Sequence, residues 1–198
     1  MWEVVPNEEG SNMAIDLTGE VRTRLVEDAY RRGYDYLPKW GACAPTTFAA
    51  VMDTLGYADE QLARDIWKAS VGLTGGTGNM AVGTCGAMAG AAMAISFSFG
   101  HSREDVEQDN NKMFMINQAV AEVGKRVKDI FGHIVCQEIQ LHNWGKAYHF
   151  ANPDVLREFS KMALNTDGKM RCQDVTGTVA SLAVEKILEY NPQFVRLL

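Results

Sequence analysis

Between residues 102 and 132 the chain reads SREDVEQDNNKMFMINQAVAEVGKRVKDIFG, and this stretch decides the fold class. Ser102 followed three residues later by Asp105 is a capping-box-like helix start. From there Val106, Met113, Ile116, Val120, Val123, Val127 and Ile130 recur at spacings of three, four and seven, one stripe of a helix. Gly132 supplies a terminator. The pattern predicts the longest helix of the chain, unbroken from Ser102 to about Gly132.

The same period continues on both sides. Leu17, Val21, Leu25, Ala29 and Tyr30 predict a helix from Asp16 to Tyr36. Ala44-Pro45 opens a second, through Phe48, Val51, Met52 and Leu55 to Gly56, with proline where a missing N–H costs nothing. Asp59 to Ser70 is a short third. Small residues from Thr84 to about Phe97 form a fourth, whose Gly86, Gly90 and alanines suit close helix crossing. Asn152-Pro153 starts a helix through Phe159 and Met162, and the last runs from about Asp174 to Tyr190. Residues 137–151 read as a long connection. No alternating strand pair with a hairpin turn occurs. The expectation is an all-α, single-domain bundle of about six or seven helices, with residues 1–15 as an amino-terminal arm and 16–198 as the domain.

Composition narrows the function. At 198 residues, with 46% apolar and 22% charged side chains, the chain can bury a core without staples. Its net charge is −6, and no basic tract exceeds Arg31-Arg32, so a nucleic-acid or anionic-lipid footprint is not expected. The weakly polar run Met80 to Phe99 is too rich in Gly, Ala and Ser to span a membrane. The start Met1-Trp2-Glu3-Val4 lacks a basic region and an apolar segment, which predicts no secretory signal and a cytoplasmic protein.

Four cysteines carry the remaining chemistry: Cys43, Cys85, Cys136 and Cys172. A cytoplasmic chain keeps them reduced, and free cysteines also serve as small buried hydrophobes. Three stand where a helix is expected to begin: Cys43 before Ala44-Pro45, Cys85 after Thr84, Cys172 before Gln173-Asp174. Cys136 lies just past Gly132. Free N–H groups at a helix start lower a thiol pKa or favour an anionic cluster held against them. Before Cys85 runs Gly72-Leu73-Thr74-Gly75-Gly76-Thr77-Gly78, where backbone can approach something bulky. It lacks the Gly-Lys-Ser/Thr ending of a nucleotide loop and follows a helix instead of a strand.

The hexapeptide Cys85-Gly86-Ala87-Met88-Ala89-Gly90 matches Cys-Gly-Ala-x-x-Gly. With the glycine approach, one cysteine before it and two after, it resembles the redox-active family named for its four cysteines, C_GCAxxG_C_C. The same module looks like the amino-terminal part of split-Soret cytochromes c. The match in order extends from about Tyr34 to Tyr190. The resemblance implies a helical redox module whose four cysteines hold an iron–sulfur cluster or act as redox thiols. By the split-Soret analogy it also implies a homodimer. The chain has no Cys-x-x-Cys-His, so covalent haem is not expected, and it carries extra residues before Tyr34 and between Gln137 and Lys169.

Three readings stay open. In the first, an electron-transfer protein holds one [2Fe–2S] or [4Fe–4S] cluster on Cys43, Cys85, Cys136 and Cys172 and serves a redox partner protein. In the second, Cys85 is an attacking thiolate and another cysteine resolves it. In the third, the four cysteines bind a structural zinc, although paired knuckles are missing. Whether a substrate is turned over is open as well. His133, three residues before Cys136, could replace a thiolate, or serve as a helix-end cation. His142, Asn143, Trp144, Lys146, Tyr148 and His149 form a polar–aromatic stretch able to cover a cofactor. Met88, Met93, Met113 and Met115 read as core filler.

Overall fold

The computed structural model describes residues 19–148, 153–164 and 167–196; the amino-terminal arm and His149 lie outside them. Nine α-helices are present among the described residues, with no strand. They are α1 (Gly19–Trp40), α2 (Cys43–Thr54), α3 (Gln61–Ser70), α4 (Gly86–Phe99), α5 (Arg103–Gln108), α6 (Asn111–Phe131), α7 (Cys136–Trp144), α8 (Pro153–Met162) and α9 (Cys172–Tyr190). The all-α expectation holds, and the count exceeds the upper figure of seven by two.

The first extra helix comes from a break in the stretch from Ser102 to Gly132. The capping box forms: Ser102 accepts from the Asp105 N–H at 3.1 Å, and Asp105 accepts from the Ser102 N–H at 2.7 Å. The helix then stops at Gln108. Asp109 is extended, at φ −155°, and its carboxylate accepts the Asn111 N–H at 2.9 Å. Asp and Asn side chains offer the backbone such local partners in place of the helical ladder. The longest helix is therefore α1, with 22 residues, one more than α6. The stripe is buried in its middle, at Ile116, Val123 and Val127, while Val106, Ile130 and Met115 are exposed and Phe131 is buried.

The second extra helix, α7, lies in the stretch expected to be a connection. Its apolar residues are too few for a readable stripe over nine positions, which is why periodicity missed it.

In the bundle, α9 packs against α1, α2, α4 and α6, and α2 packs against α1, α4 and α9. The α1–α9 crossing is at backbone contact. A Cβ on Gly33 would stand 2.8 Å from the Thr176 carbonyl oxygen, and one on Gly177 would stand 2.8 Å from that of Tyr30. On α4, Gly90 faces the Ala44 carbonyl of α2 in the same way. Small residues thus let α1 close on α9 and α4 on α2, and Phe48, Met52, Leu55, Ile95, Val123, Val179 and Ile187 fill the core between the helices.

Candidate metal centre

All four cysteines stand at helix starts. Cys43, Cys136 and Cys172 are the first residues of α2, α7 and α9, and Cys85 immediately precedes α4. Cys136, expected merely beyond a terminator, joins the other three because α7 begins there. All four are free thiols and line one cavity of about 310 Å³.

The glycine-rich loop sets their register. Gly75, Gly76, Thr77, Gly78, Asn79 and Ala81 all have φ between 57° and 74°. Three of these are not glycine and hold left-handed backbone that ordinarily costs about 1 kcal/mol or more each. What holds them is a set of hydrogen bonds inside the loop: Gly78 N–H to Gly72, Asn79 to Thr74, Ala81 to Gly75 and Gly83 to Gly76, at 2.7–3.1 Å. Those amides are spent internally, so they do not form a phosphate cradle. The loop's outer edge then grips the start of α7. Cys136 N–H donates to the Gly83 carbonyl at 3.0 Å, Gln137 N–H to Ala81 at 2.8 Å, and Cys85 N–H to Ile134 at 2.8 Å. An isolated antiparallel bridge, Thr84 to Val135, lies between them. Cys85 and Cys136 are thereby tied together across fifty residues of sequence.

Cys43 is placed by what Gly86 lacks. A Cβ there would strike the Cys43 sulfur and come within 3.1 Å of the Leu73 carbonyl and 3.2 Å of Thr74 Cα. The sulfur lies against bare backbone.

Burial dominates the thiols. It pushes all four above their ordinary value, Cys85 and Cys172 strongly and Cys136 to about 12, and the neighbouring cysteines push Cys85, Cys136 and Cys172 further in the same direction. This corrects the expectation of a lowered Cys85. Helix-start N–H groups do favour the Cys43 and Cys85 thiolates, but desolvation outweighs them. A pH dependence follows. The native thiol of Cys136 keeps its proton where the unfolded one, with an ordinary value near 9, has lost it. Its stabilising contribution is therefore full below pH 9 and lost as pH rises toward 12. The amount at stake is about 4 kcal/mol for this one thiol. Denaturant midpoints of the metal-free protein should be level from pH 7 to 8.5 and fall steeply by pH 11; a flat profile would contradict the buried, protonated site.

Two polar groups stand beside the cysteines. Gln140, on the same face of α7 as Cys136, donates its Nε2–H to that sulfur at 3.2 Å. The Tyr148 N–H, bound to Gln140 Oε1 at 2.9 Å, fixes the amide in that orientation. Thr74, which lines the cavity, has a buried hydroxyl with no partner. Across from the cysteines, Leu156 and Phe159 of α8 and Leu37 of α1 wall the cavity with apolar surface. Among the described residues no three His, Cys, Asp or Glu side chains stand close enough to share a single metal ion.

Sequence reasoning missed Gln140 and Thr74. Gln140 would have been readable as the i+4 neighbour of Cys136 had α7 been recognised. His133 does not line the cavity; its Nδ1 accepts the Val135 N–H at 3.0 Å. Of the polar–aromatic stretch, Tyr148 reaches the site through Gln140 and by packing its ring on Phe159 at 5.6 Å.

A family model described as "Putative redox-active protein (C_GCAxxG_C_C)" matches residues 42–186, a span that contains all four cysteines. Its name spells Gly-Cys-Ala, whereas this chain has Thr84 before the cysteine and Gly86 between it and Ala87. The Cys43 sulfur occupies the space that a side chain at 86 would take. No curated protein and no solved structure matches the chain.

Proposed function

Because the chain belongs to the C_GCAxxG_C_C family of redox-active proteins, we propose that it is an electron-transfer protein whose Cys43, Cys85, Cys136 and Cys172 hold one iron–sulfur cluster. The observation that carries this reading is the convergence of four helix-start cysteines on a single cavity. Four thiolates are the ligand set of [2Fe–2S] and [4Fe–4S] centres, which take up and release single electrons.

The chain's own residues have three tasks. The helix-start amides and the Gln140 amide donate to sulfur, which offsets negative charge and raises the reduction potential. Leu37 and Phe159 set apolar surface beside the sulfurs. The thiols, held protonated by burial, release their protons when they become ligands, so loading is favoured by rising pH. The same protonation argues against Cys85 as an attacking thiolate near neutral pH. The split-Soret resemblance adds a homodimer to this proposal, and single-electron chemistry adds a redox partner protein in the cytoplasm. No helix among the described residues is long and apolar enough to cross a membrane.

Anaerobically purified protein should be brown, with visible charge-transfer absorption, and should contain iron and acid-labile sulfide. Colourless, iron-free protein with a reversible two-electron thiol couple would replace this reading with the thiol–disulfide one. Stoichiometric zinc would replace it with a structural site.

A further inference from the structure

An open groove of about 930 Å³ lies between α4 and α6, beside the cysteine centre. The two sites share chain segments: Thr84 lines the groove and Cys85 the cavity, and the Cys85 N–H donates to Ile134, which lines the groove. Small side chains floor it. A Cβ added at Gly124 would meet only the Met88 Cε, at 3.6 Å, so the floor is open to an approaching surface.

The charge on this groove is opposite to that of the molecule. The chain carries −6 overall, yet Lys125 and Lys128 line the groove and no carboxylate does. Neither lysine forms an ion pair among the described residues. Phe114, Ala121 and Lys128 recur at intervals of seven on α6 and so share a face, and Phe114 is 64% exposed. A basic rim beside an exposed aromatic anchor is the composition of a docking surface for a negatively charged protein.

We propose that this groove docks an acidic, single-electron carrier protein, which exchanges electrons with the cysteine centre through the Thr84–Cys85 and Ile134–Cys136 segments. This rests on the cluster reading above. In each event the reduced carrier loses one electron and the centre gains it, with no atom transferred.

The test uses the holoprotein and reduced flavodoxin, a small acidic one-electron carrier, as probe. Electron uptake is followed by stopped flow at low and high salt for wild type, the Lys125→Glu/Lys128→Glu double variant, and Arg31→Glu on α1 as control. At low salt the double variant should be slower by about tenfold or more, with the gap closing at high salt and the control unchanged. Equal rates for double variant and wild type, or the same slowing in the control, would overturn the proposal. So would a wild-type dimer that separates in the double variant while its rate per centre is unchanged, since the groove would then seat a second copy of this chain. If the wild-type protein holds no iron, the cluster reading fails first. Calorimetric titration with oxidised flavodoxin still decides the docking surface: salt-sensitive binding lost in the double variant supports it, and no binding by wild type overturns it.

Discussion

Replacing Cys85 by serine should yield a folded, colourless protein when purified anaerobically, with bound iron and sulfide reduced by at least about tenfold. Of the four cysteines, Cys85 alone is part of the hydrophobic core cluster. It lies between the glycine loop and α4 and donates its N–H to Ile134 at 2.8 Å. Serine preserves that backbone bond and nearly the same volume. It presents a hydroxyl that ionises far less readily than a thiol and is a poor ligand for iron. The helical circular dichroism should survive, because the cost of one buried hydroxyl, about 1–3 kcal/mol, is a fraction of a domain's stability. Retained colour and iron would remove Cys85 from the ligand set. Unfolding of the variant can be recognised separately by loss of the helical signal, and Cys43→Ser and Cys172→Ser then carry the same test from half-buried positions.

Gly86→Ala should be nearly as damaging to the centre without touching a ligand. The new methyl group would occupy the position of the Cys43 sulfur. A cysteine side chain has one rotatable bond, so the sulfur can yield only by swinging out of the cavity. The alternative movement is blocked, because the Leu73 carbonyl and Thr74 Cα, at 3.1 and 3.2 Å, are backbone in a loop already held by its own hydrogen bonds. The expected result is loss of most bound iron together with a stability loss of about 1–3 kcal/mol, the usual cost of overpacking. Iron analysis and a denaturation curve on the same preparation check both halves. A variant with full iron and unaltered stability would mean that Cys43 and Gly86 are not pressed together.

The two experiments probe different levels of one design. Cys85 tests which atoms hold the centre, and Gly86 tests whether close backbone approach is what positions them. The groove variants at Lys125 and Lys128 lie outside both, so their failure would leave the centre intact.

Local chemistry is what a sequence carries. The helical period, the capping box at Ser102, the glycine terminator at Gly132, and the placement of Cys43, Cys85 and Cys172 at helix starts all depend on residues a few positions apart, and all were readable. The break at Asp109 and the helix beginning at Cys136 were not, because six and nine residues are too few for periodicity to register. Tertiary structure alone decided the rest: that Cys85 and Cys136 are laced together by Gly83 and Ile134, that Gln140 turns its amide to sulfur, and that the thiols hold their protons tightly. The last point reversed the local expectation. A helix start stabilises a thiolate only as strongly as its few N–H groups allow, whereas desolvation depends on everything folded over the site, including segments a hundred residues away.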